Sequence, residues 1–190
     1  MPYLTSDGKP KKQRRKRQRP QPRAILSSPV TAVFGPPQAG TSTLIKALAE
    51  SLLSPIHVIQ PSWGDLEETV HAAPPHHTIF VDGFPMSAEG VRYLHDHNLV
   101  YRGHGMIVLV RIDPEVLAKR SGEQAGLAAS KWYEGVPDLA AGPERTHGLP
   151  DIENAIRMFS LPYCTIHNTS GPDGFARAAC ALGNYAGLKE

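Results

Sequence analysis

The sequence has few cysteines and no long apolar run, and each shortage excludes a class of protein. Only two cysteines, Cys164 and Cys180, occur among the 190 residues, and neither lies in a Cys-x-x-Cys or Cys/His ligand pattern. We therefore expect reduced core thiols in an intracellular protein. No apolar stretch approaches the roughly 18 residues of a membrane span, so we expect a soluble protein with no membrane partner. The basic N-terminus leads into proline and glutamine, so we expect no signal peptide.

The net charge of +2 hides an asymmetry between the N-terminus and the remainder of the chain. Residues 1–23 hold nine of the 20 basic side chains and one of the 18 acidic ones, which leaves 11 basic and 17 acidic residues, a net charge of −6, in the remainder. Residues 10–23 contain hardly any apolar side chain and cannot offset the entropy of ordering, so we expect a disordered basic arm over residues 1–28. Its candidate binding residues are Lys11, Lys12, Arg14, Arg15, Lys16, Arg17 and Arg19.

Three interpretations of this arm stay open. The sequence PKKQRRKR at 10–17 resembles a nuclear localisation signal of the single-cluster type, which implies an import receptor as partner and a nuclear protein if the host is eukaryotic. In any other host we expect the protein in the cytoplasm. Alternatively, residues 9–23 bind nucleic acid by releasing counterions from its phosphates. The third interpretation is a solvated tail that improves solubility.

The most informative stretch is Val30–Leu44, with the sequence VTAVFGPPQAGTSTL. A short apolar run predicts a buried strand, and Gly35 and Gly40 then bracket four residues, the spacing of a phosphate-binding loop. Glycines let backbone N–H groups turn inward, and the N-terminus of the following helix adds its positive dipole end. The loop lysine that usually follows is replaced here by Thr41. The candidate nucleotide-binding residues are Gly35, Gln38, Ala39, Gly40, Thr41, Ser42 and Thr43.

A second stretch, HHTIFVD at 76–82, is an apolar run that ends in the carboxylate of Asp82. An aspartate at the carboxyl end of a parallel strand lies at the ligand edge of the sheet, where it can hold Mg²⁺ with Ser42 of the loop. The alternative is that Asp82 forms a turn or caps a helix.

Together these motifs resemble the adenylate kinases and their nucleoside monophosphate kinase relatives. GPPQAGTSTL at 35–44 is similar to the family's GPPGAGKGTQ loop, and VDGFP at 81–85 is similar to its DGFPR element. IVLVRIDPEVLAKR at 107–120 and the stretch from residue 161 resemble further elements of the family. The resemblance implies binding of ATP or another nucleotide with Mg²⁺, with Arg120 against the base or phosphates and Arg157 as a phosphate clamp.

The departures from the family are also informative. Thr41 replaces the loop lysine, Met86 replaces the arginine after DGFP, and acid replaces an arginine within WGDLEE at 63–68. Phosphoryl transfer depends on positioning and on cations that neutralise the moving group, so we expect a nucleotide-binding protein that is inactive or weak as a kinase. Two alternatives stay open: an active kinase or NTPase in which Lys46, Arg120 or Arg157 supplies the cation, and a structural or regulatory adaptor without a ligand.

The predicted fold is a three-layer α/β P-loop NTPase domain of the nucleoside monophosphate kinase type, with about five parallel strands, over residues 29–187. Residues 121–150 form a lid-like insert in it. Strands alternating with helices predict a parallel sheet covered on both faces. Besides the first strand and the strand that ends at Asp82, strands are predicted at Ile56–Ile59, Met106–Ile112 and Leu161–Ile166. The predicted helices are Thr41–Leu53, Asp65–His71, Ala88–His97, a helix that begins at Asp113–Pro114, and Phe175–Leu182.

Overall fold

A computed structural model describes residues 29–51, 55–60, 65–136 and 148–168 of the chain. The predicted basic arm and the predicted helix Phe175–Leu182 lie outside these ranges. The elements in chain order are β1 (Val30–Phe34), α1 (Thr41–Ser51), β2 (Ile56–Ile59), α2 (Leu66–Ala72), β3 (Thr78–Asp82), α3 (Ala88–Asp96), β4 (Met106–Arg111), α4 (Pro114–Ser121), α5 (Glu123–Glu134), α6 (Leu149–Met158) and β5 (Tyr163–His167).

The five strands form one parallel sheet in the order β2-β3-β1-β4-β5. The prediction of five parallel strands is therefore confirmed. The central strand β1 pairs with β3 on one side and with β4 on the other. The loop after β1 lies at the carboxyl edge of the sheet, and the strand order reverses beside β1, which is where open parallel sheets bind their ligands.

Two apolar cores, one on each face of the sheet, produce the three layers. Successive strand residues point to opposite faces, so Ala32 and Phe34 enter one core while Val33 enters the other. The first core also contains buried residues of α2, α3 and α6, and the second contains buried residues of α1, α4 and α5. Both faces are covered, and this burial explains why the strands are apolar runs rather than alternating patterns.

The helix boundaries follow local capping chemistry. The side chain of Asp113 accepts a hydrogen bond from the backbone N–H of Glu115 at 2.8 Å, and Pro114 occupies the first turn of α4, where its missing N–H costs nothing. The predicted start of this helix is confirmed. Ser87 caps α3 in the same way by accepting from the backbone N–H of Gly90.

Several predicted boundaries differ slightly from the structure. The helix α2 lies one residue later than predicted, and α3 and β4 each end one residue earlier, at Asp96 and Arg111. The predicted end of α1 at Leu53 lies outside the described residues. The last strand begins at Tyr163 rather than Leu161, because Pro162 has no N–H and only its carbonyl joins the ladder, accepting from Ile107 at 2.8 Å. None of these shifts moves a candidate site residue.

Two helices, α5 and α6, were not predicted. α5 occupies the first part of the lid-like insert and packs closely on α4: a Cβ at Gly126 would lie 2.6 Å from the carbonyl oxygen of Pro114. Small residues in this segment thus let two helices approach each other. Within the described ranges, no helix combines the length and apolarity needed to cross a bilayer.

Candidate nucleotide-binding site

The glycine-rich segment forms a compact loop between β1 and α1. Its backbone turns back on itself, with the N–H of Ala39 donating to the carbonyl of Pro36 at 3.0 Å. Gln38 and Gly40 have positive φ angles of 66° and 96°, and alternation of this kind turns successive N–H groups to one side in the backbone nests that bind anions. The helix α1 starts at Thr41, so its N-terminal dipole end adjoins this part of the loop.

The first glycine of the loop is required by the neighbouring strand. A Cβ at Gly35 would lie 2.5 Å from the carbonyl oxygen of Val110 in β4 and 3.1 Å from the Cβ of Ala39. The chain therefore leaves β1 in direct contact with the β4 backbone, and this contact fixes where the loop begins above the sheet.

Asp82 and Ser42 meet at the same edge. Asp82 is the last residue of β3 and pairs in register with Val33, and the N–H of the next residue, Gly83, donates to the carbonyl of Val33 at 2.8 Å. The hydroxyl of Ser42, in the first turn of α1, donates to Oδ2 of Asp82 at 2.5 Å. Two residues that are 40 positions apart thus place hard oxygen atoms beside the loop.

Asn168 is a site residue that sequence analysis missed. It follows β5 directly, its exposed fraction is 6%, and its Nδ2 donates to the carbonyl of Ala39 in the loop at 2.7 Å. Its backbone N–H donates to the carbonyl of Arg111 at 2.7 Å. The last described strand therefore holds the middle of the loop. A partial signal was present in the sequence, because Asn168 lies two residues beyond the predicted strand Leu161–Ile166, at its carboxyl end.

A second missed group lies at the carboxyl ends of β4 and β5. The guanidinium of Arg111 lies 5.7 Å from the centroid of the Tyr133 ring, and its Nη2 donates to Glu153 at 3.4 Å. The Tyr133 hydroxyl donates to the carbonyl of Ile112 and accepts from its N–H, both at 2.9 Å, and burial raises the pKa of this phenol. These contacts attach α5 to the end of β4. The open cleft beside them is lined by Arg111, Ile112, Asp113, Pro114, Tyr133 and His167.

The two arginines predicted from the family resemblance lie near the C-terminal ends of α4 and α6. Arg120 is exposed in the last turn of α4. Arg157 is exposed in the last turn of α6, where its Nη2 lies 3.7 Å from Glu153, one helical turn earlier. An exposed pair of this kind contributes little to stability. The roles of both arginines at a phosphate stay predictions.

Trp132 and Tyr133, in the lid-like insert, make local core contacts. The Trp132 ring lies edge-on to Phe34 with a centroid distance of 6.2 Å, and both residues pack on the buried clusters. The histidines of the predicted helix Ala88–His97 make ordinary surface contacts, since His95 stacks on Phe159 at 4.5 Å and His97 bonds to Glu67 of α2.

The sheet order, the glycine loop after the central strand and the Ser42–Asp82 pair together define the class of fold: this is a three-layer α/β fold of the P-loop type. No family model matches the sequence, and no curated protein matches it. Among solved structures, the YorR protein from Bacillus subtilis, in complex with phosphorylated GDP, has a TM-score of 0.52 at 12% identity over 85% of this chain and 99% of that one. A de novo designed PLOOP2X3 fold protein has a TM-score of 0.47 at 12% identity over 84% of this chain and 93% of that one.

Proposed function

We propose that the chain binds a nucleoside triphosphate with Mg²⁺ at the loop 35–43 and that it transfers phosphate slowly or not at all. The observation that carries the proposal is the hydrogen bond of 2.5 Å between Ser42 and Asp82 beside an anion-binding loop. YorR, whose fold is similar, was solved with a phosphorylated GDP, which supports a nucleotide as the class of ligand.

The residues present fit a magnesium ion. Mg²⁺ prefers hard oxygen ligands and is usually bound by one or two protein side chains together with substrate phosphates. The Ser42 hydroxyl and the Asp82 carboxylate supply such oxygens, and the loop N–H groups and helix dipole would hold the phosphates. When bound, the ion neutralises charge on the β and γ phosphates.

The positions of the candidate cations lead us to expect weak catalysis. Thr41 occupies the position of the loop lysine, and the nearest lysine along α1, Lys46, is exposed and lies about 140° around the helix from it, at 3.6 residues per turn. Arg157 is engaged with Glu153 of its own helix. An active enzyme would need one of these cations, or Arg120, to reach the phosphates; a ligand-free adaptor would need the loop to be unused.

Isothermal titration calorimetry with Mg²⁺ and ATP tests the proposal directly. We expect micromolar-range affinity in the full chain and a loss of about tenfold or more in Asp82→Ala. Asp96→Ala is the matched control, because Asp96 is an exposed aspartate at the end of α3 that contacts His95. Equal affinities in the two variants would refute the role of Asp82, and no binding at all would leave the adaptor without a ligand. Turnover against a panel of nucleotide acceptors at a rate typical of kinases would instead establish the displaced-cation enzyme.

We further propose that the basic arm binds an anionic partner, either nucleic acid or a nuclear import receptor, through residues 9–23. Support comes from its nine basic side chains next to a remainder with a net charge of −6. Counterion release predicts that affinity for nucleic acid falls steeply with salt. Deletion of residues 1–23 should abolish salt-dependent binding to duplex and single-stranded probes. Binding that survives the deletion would place the surface on the folded domain. If the full chain does not bind either probe, import-receptor binding is measured next.

A further inference from the structure

The tight turn before β4, residues 101–104, carries an exposed aromatic pair. The backbones of Tyr101 and His104 exchange hydrogen bonds at 3.1 and 2.9 Å, and Gly103, with a φ of 84°, reverses the chain between them. This closure brings the two side-chain rings together, nearly parallel at 16° and with centroids 5.0 Å apart. His104 covers one side of the tyrosine ring, yet Tyr101 is still 37% exposed, so a further flat ring can stack on it.

This turn lies beside the point where the basic arm enters the fold. The strand β4 pairs with β1, and a Cβ on Gly105 would collide with the backbone of Val30, the first residue of β1. The last basic residue of the arm, Arg23, precedes Pro29 by six residues, which span at most about 22 Å. The turn and the arm can therefore contact the same extended ligand.

The charges around the turn favour an anionic ligand. The turn lies at the amino edge of the sheet, where the described segments 29, 55, 73–77, 97–105 and 159–162 lead into the five strands. These segments contain no acidic residue, although the chain after residue 23 has a net charge of −6. Their basic side chains are His76, His77, His97, Arg102 and His104.

Acidic groups near this edge belong to the helices. Glu50 lies in the last turn of α1, and Asp96 and Glu67 contact His95 and His97 respectively. A phosphate placed against the strand-entry segments themselves therefore meets Arg102 and imidazoles, and no carboxylate of those segments.

Single-stranded nucleic acid has the chemistry that such a surface recognises. Proteins bind it through basic residues that follow its backbone and through aromatic rings on which its bases stack. In a duplex the faces of the bases are closed by their neighbours, so an exposed tyrosine gains nothing there. We propose that the turn and the arm bind one single strand together. The arm and Arg102 contact its phosphates, and one base stacks on the ring of Tyr101.

This inference rests on the proposed binding of nucleic acid by the arm, because the turn alone offers too few contacts. One stacked base contributes about tenfold in affinity, and one arginine neutralises a single phosphate. The nine basic side chains of residues 1–23 supply most of the charge. Deletion of the arm should therefore still abolish binding, whereas changes in the turn should weaken it while the arm is present.

Fluorescence anisotropy with the full chain tests the stacking contact. The probes are labelled oligothymidylate and oligouridylate of about 20 nucleotides and a DNA duplex of the same length. Tyr101→Ala should weaken binding to single strands about tenfold and leave duplex binding unchanged, while Tyr101→Phe keeps the ring and should bind normally. The control Leu127→Ala removes an exposed apolar side chain from α5 and should also bind normally.

Weakening with either oligonucleotide supports the inference, and the tighter of the two identifies DNA or RNA as the ligand. Equal losses for single strands and duplex in Tyr101→Ala would overturn the stacking contact, as would a loss of the same size in Tyr101→Phe or Leu127→Ala.

Salt dependence tests Arg102. Loss of one phosphate contact lowers the slope of log K against log salt by about 0.7 for a single strand, so Arg102→Gln should show a decrease of that size. Arg92→Gln is the matched control, because it removes the same charge from an exposed position on α3 and should leave the slope unchanged. Equal slopes in the two variants would overturn a phosphate contact at the turn.

The outcomes separate this inference from the proposed role of the arm. If the full chain binds single strands, deletion of residues 1–23 abolishes binding, and the variants of Tyr101 and Arg102 bind like the unaltered protein, only the inference about the turn is wrong. Binding to the duplex alone, or to an import receptor alone, would also overturn it and leave the arm its anionic partner. If the full chain binds no nucleic-acid probe, both nucleic-acid proposals are wrong.

Discussion

Substitution of Gly35 by alanine should destabilise the protein and weaken nucleotide binding together. The added Cβ would lie 2.5 Å from the backbone oxygen of Val110, closer than the 3.0 Å below which atoms must move, and a backbone carbonyl in a central strand cannot rotate away. Overpacking of this kind costs about 1–3 kcal/mol. For a chain of this size each kcal/mol lowers Tm by about 2–4 °C, so we expect a decrease of about 2–12 °C.

Thermal denaturation followed by circular dichroism measures the stability, and calorimetry with Mg²⁺ and ATP measures binding. The matched control is Gly103→Ala, where a Cβ meets no atom within 4 Å, and only the positive φ of 84° opposes the change. That strain costs about 1 kcal/mol. Gly103 is also remote in sequence from the loop. The close contact between the loop and β4 would be refuted if Gly35→Ala were at least as stable as Gly103→Ala and bound ATP normally.

Three further predictions concern the loop and the core. Thr41→Lys restores a cation to the loop and should raise nucleotide affinity in calorimetry; no change would count against the loop as a phosphate site. Asn168→Ala leaves the Ala39 carbonyl without its partner and should lower the free energy of unfolding by about 1–3 kcal/mol in urea, whereas a neutral result would show that the loop is held otherwise. Burial raises the pKa of the Cys164 thiol from 9.0 to about 11. The unfolded chain thus releases this proton first, so stability should fall as the pH rises from 9 to 11, and the fall should be shallower in Cys164→Ala; identical slopes would contradict this.

The strands and the loop could be predicted because their signals are local. β1, β3 and β4 are short apolar runs, and burial on both faces of a parallel sheet demands such runs. The carboxyl ends of parallel strands share one edge, so the position of Asp82 at the end of a run sufficed to predict that it would lie near Ser42. The hydrogen bond between the two side chains agrees with that expectation.

The contacts that complete the site could not be predicted because they join distant segments. The hydrogen bond from Asn168 to Ala39 spans 129 residues, and no spacing rule links the two positions. α6 was missed although its buried residues Leu149, Ile152 and Ile156 recur at helical spacing, since the segment before it was interpreted as a Gly- and Pro-rich lid. The Tyr133 hydroxyl finds its partner at Ile112 only once α5 has folded against the sheet.

The bond between Asn168 and Ala39 also has a consequence for biosynthesis. A ribosome adds about 5–20 residues per second, so the 129 residues that separate the two positions take roughly 6–26 s to translate. During that time the nascent chain contains the whole glycine loop and lacks the side chain that holds its middle. A nucleotide would therefore meet a fully anchored loop only after β5 has been synthesised and has joined the sheet, which places formation of the site near the end of the folding sequence.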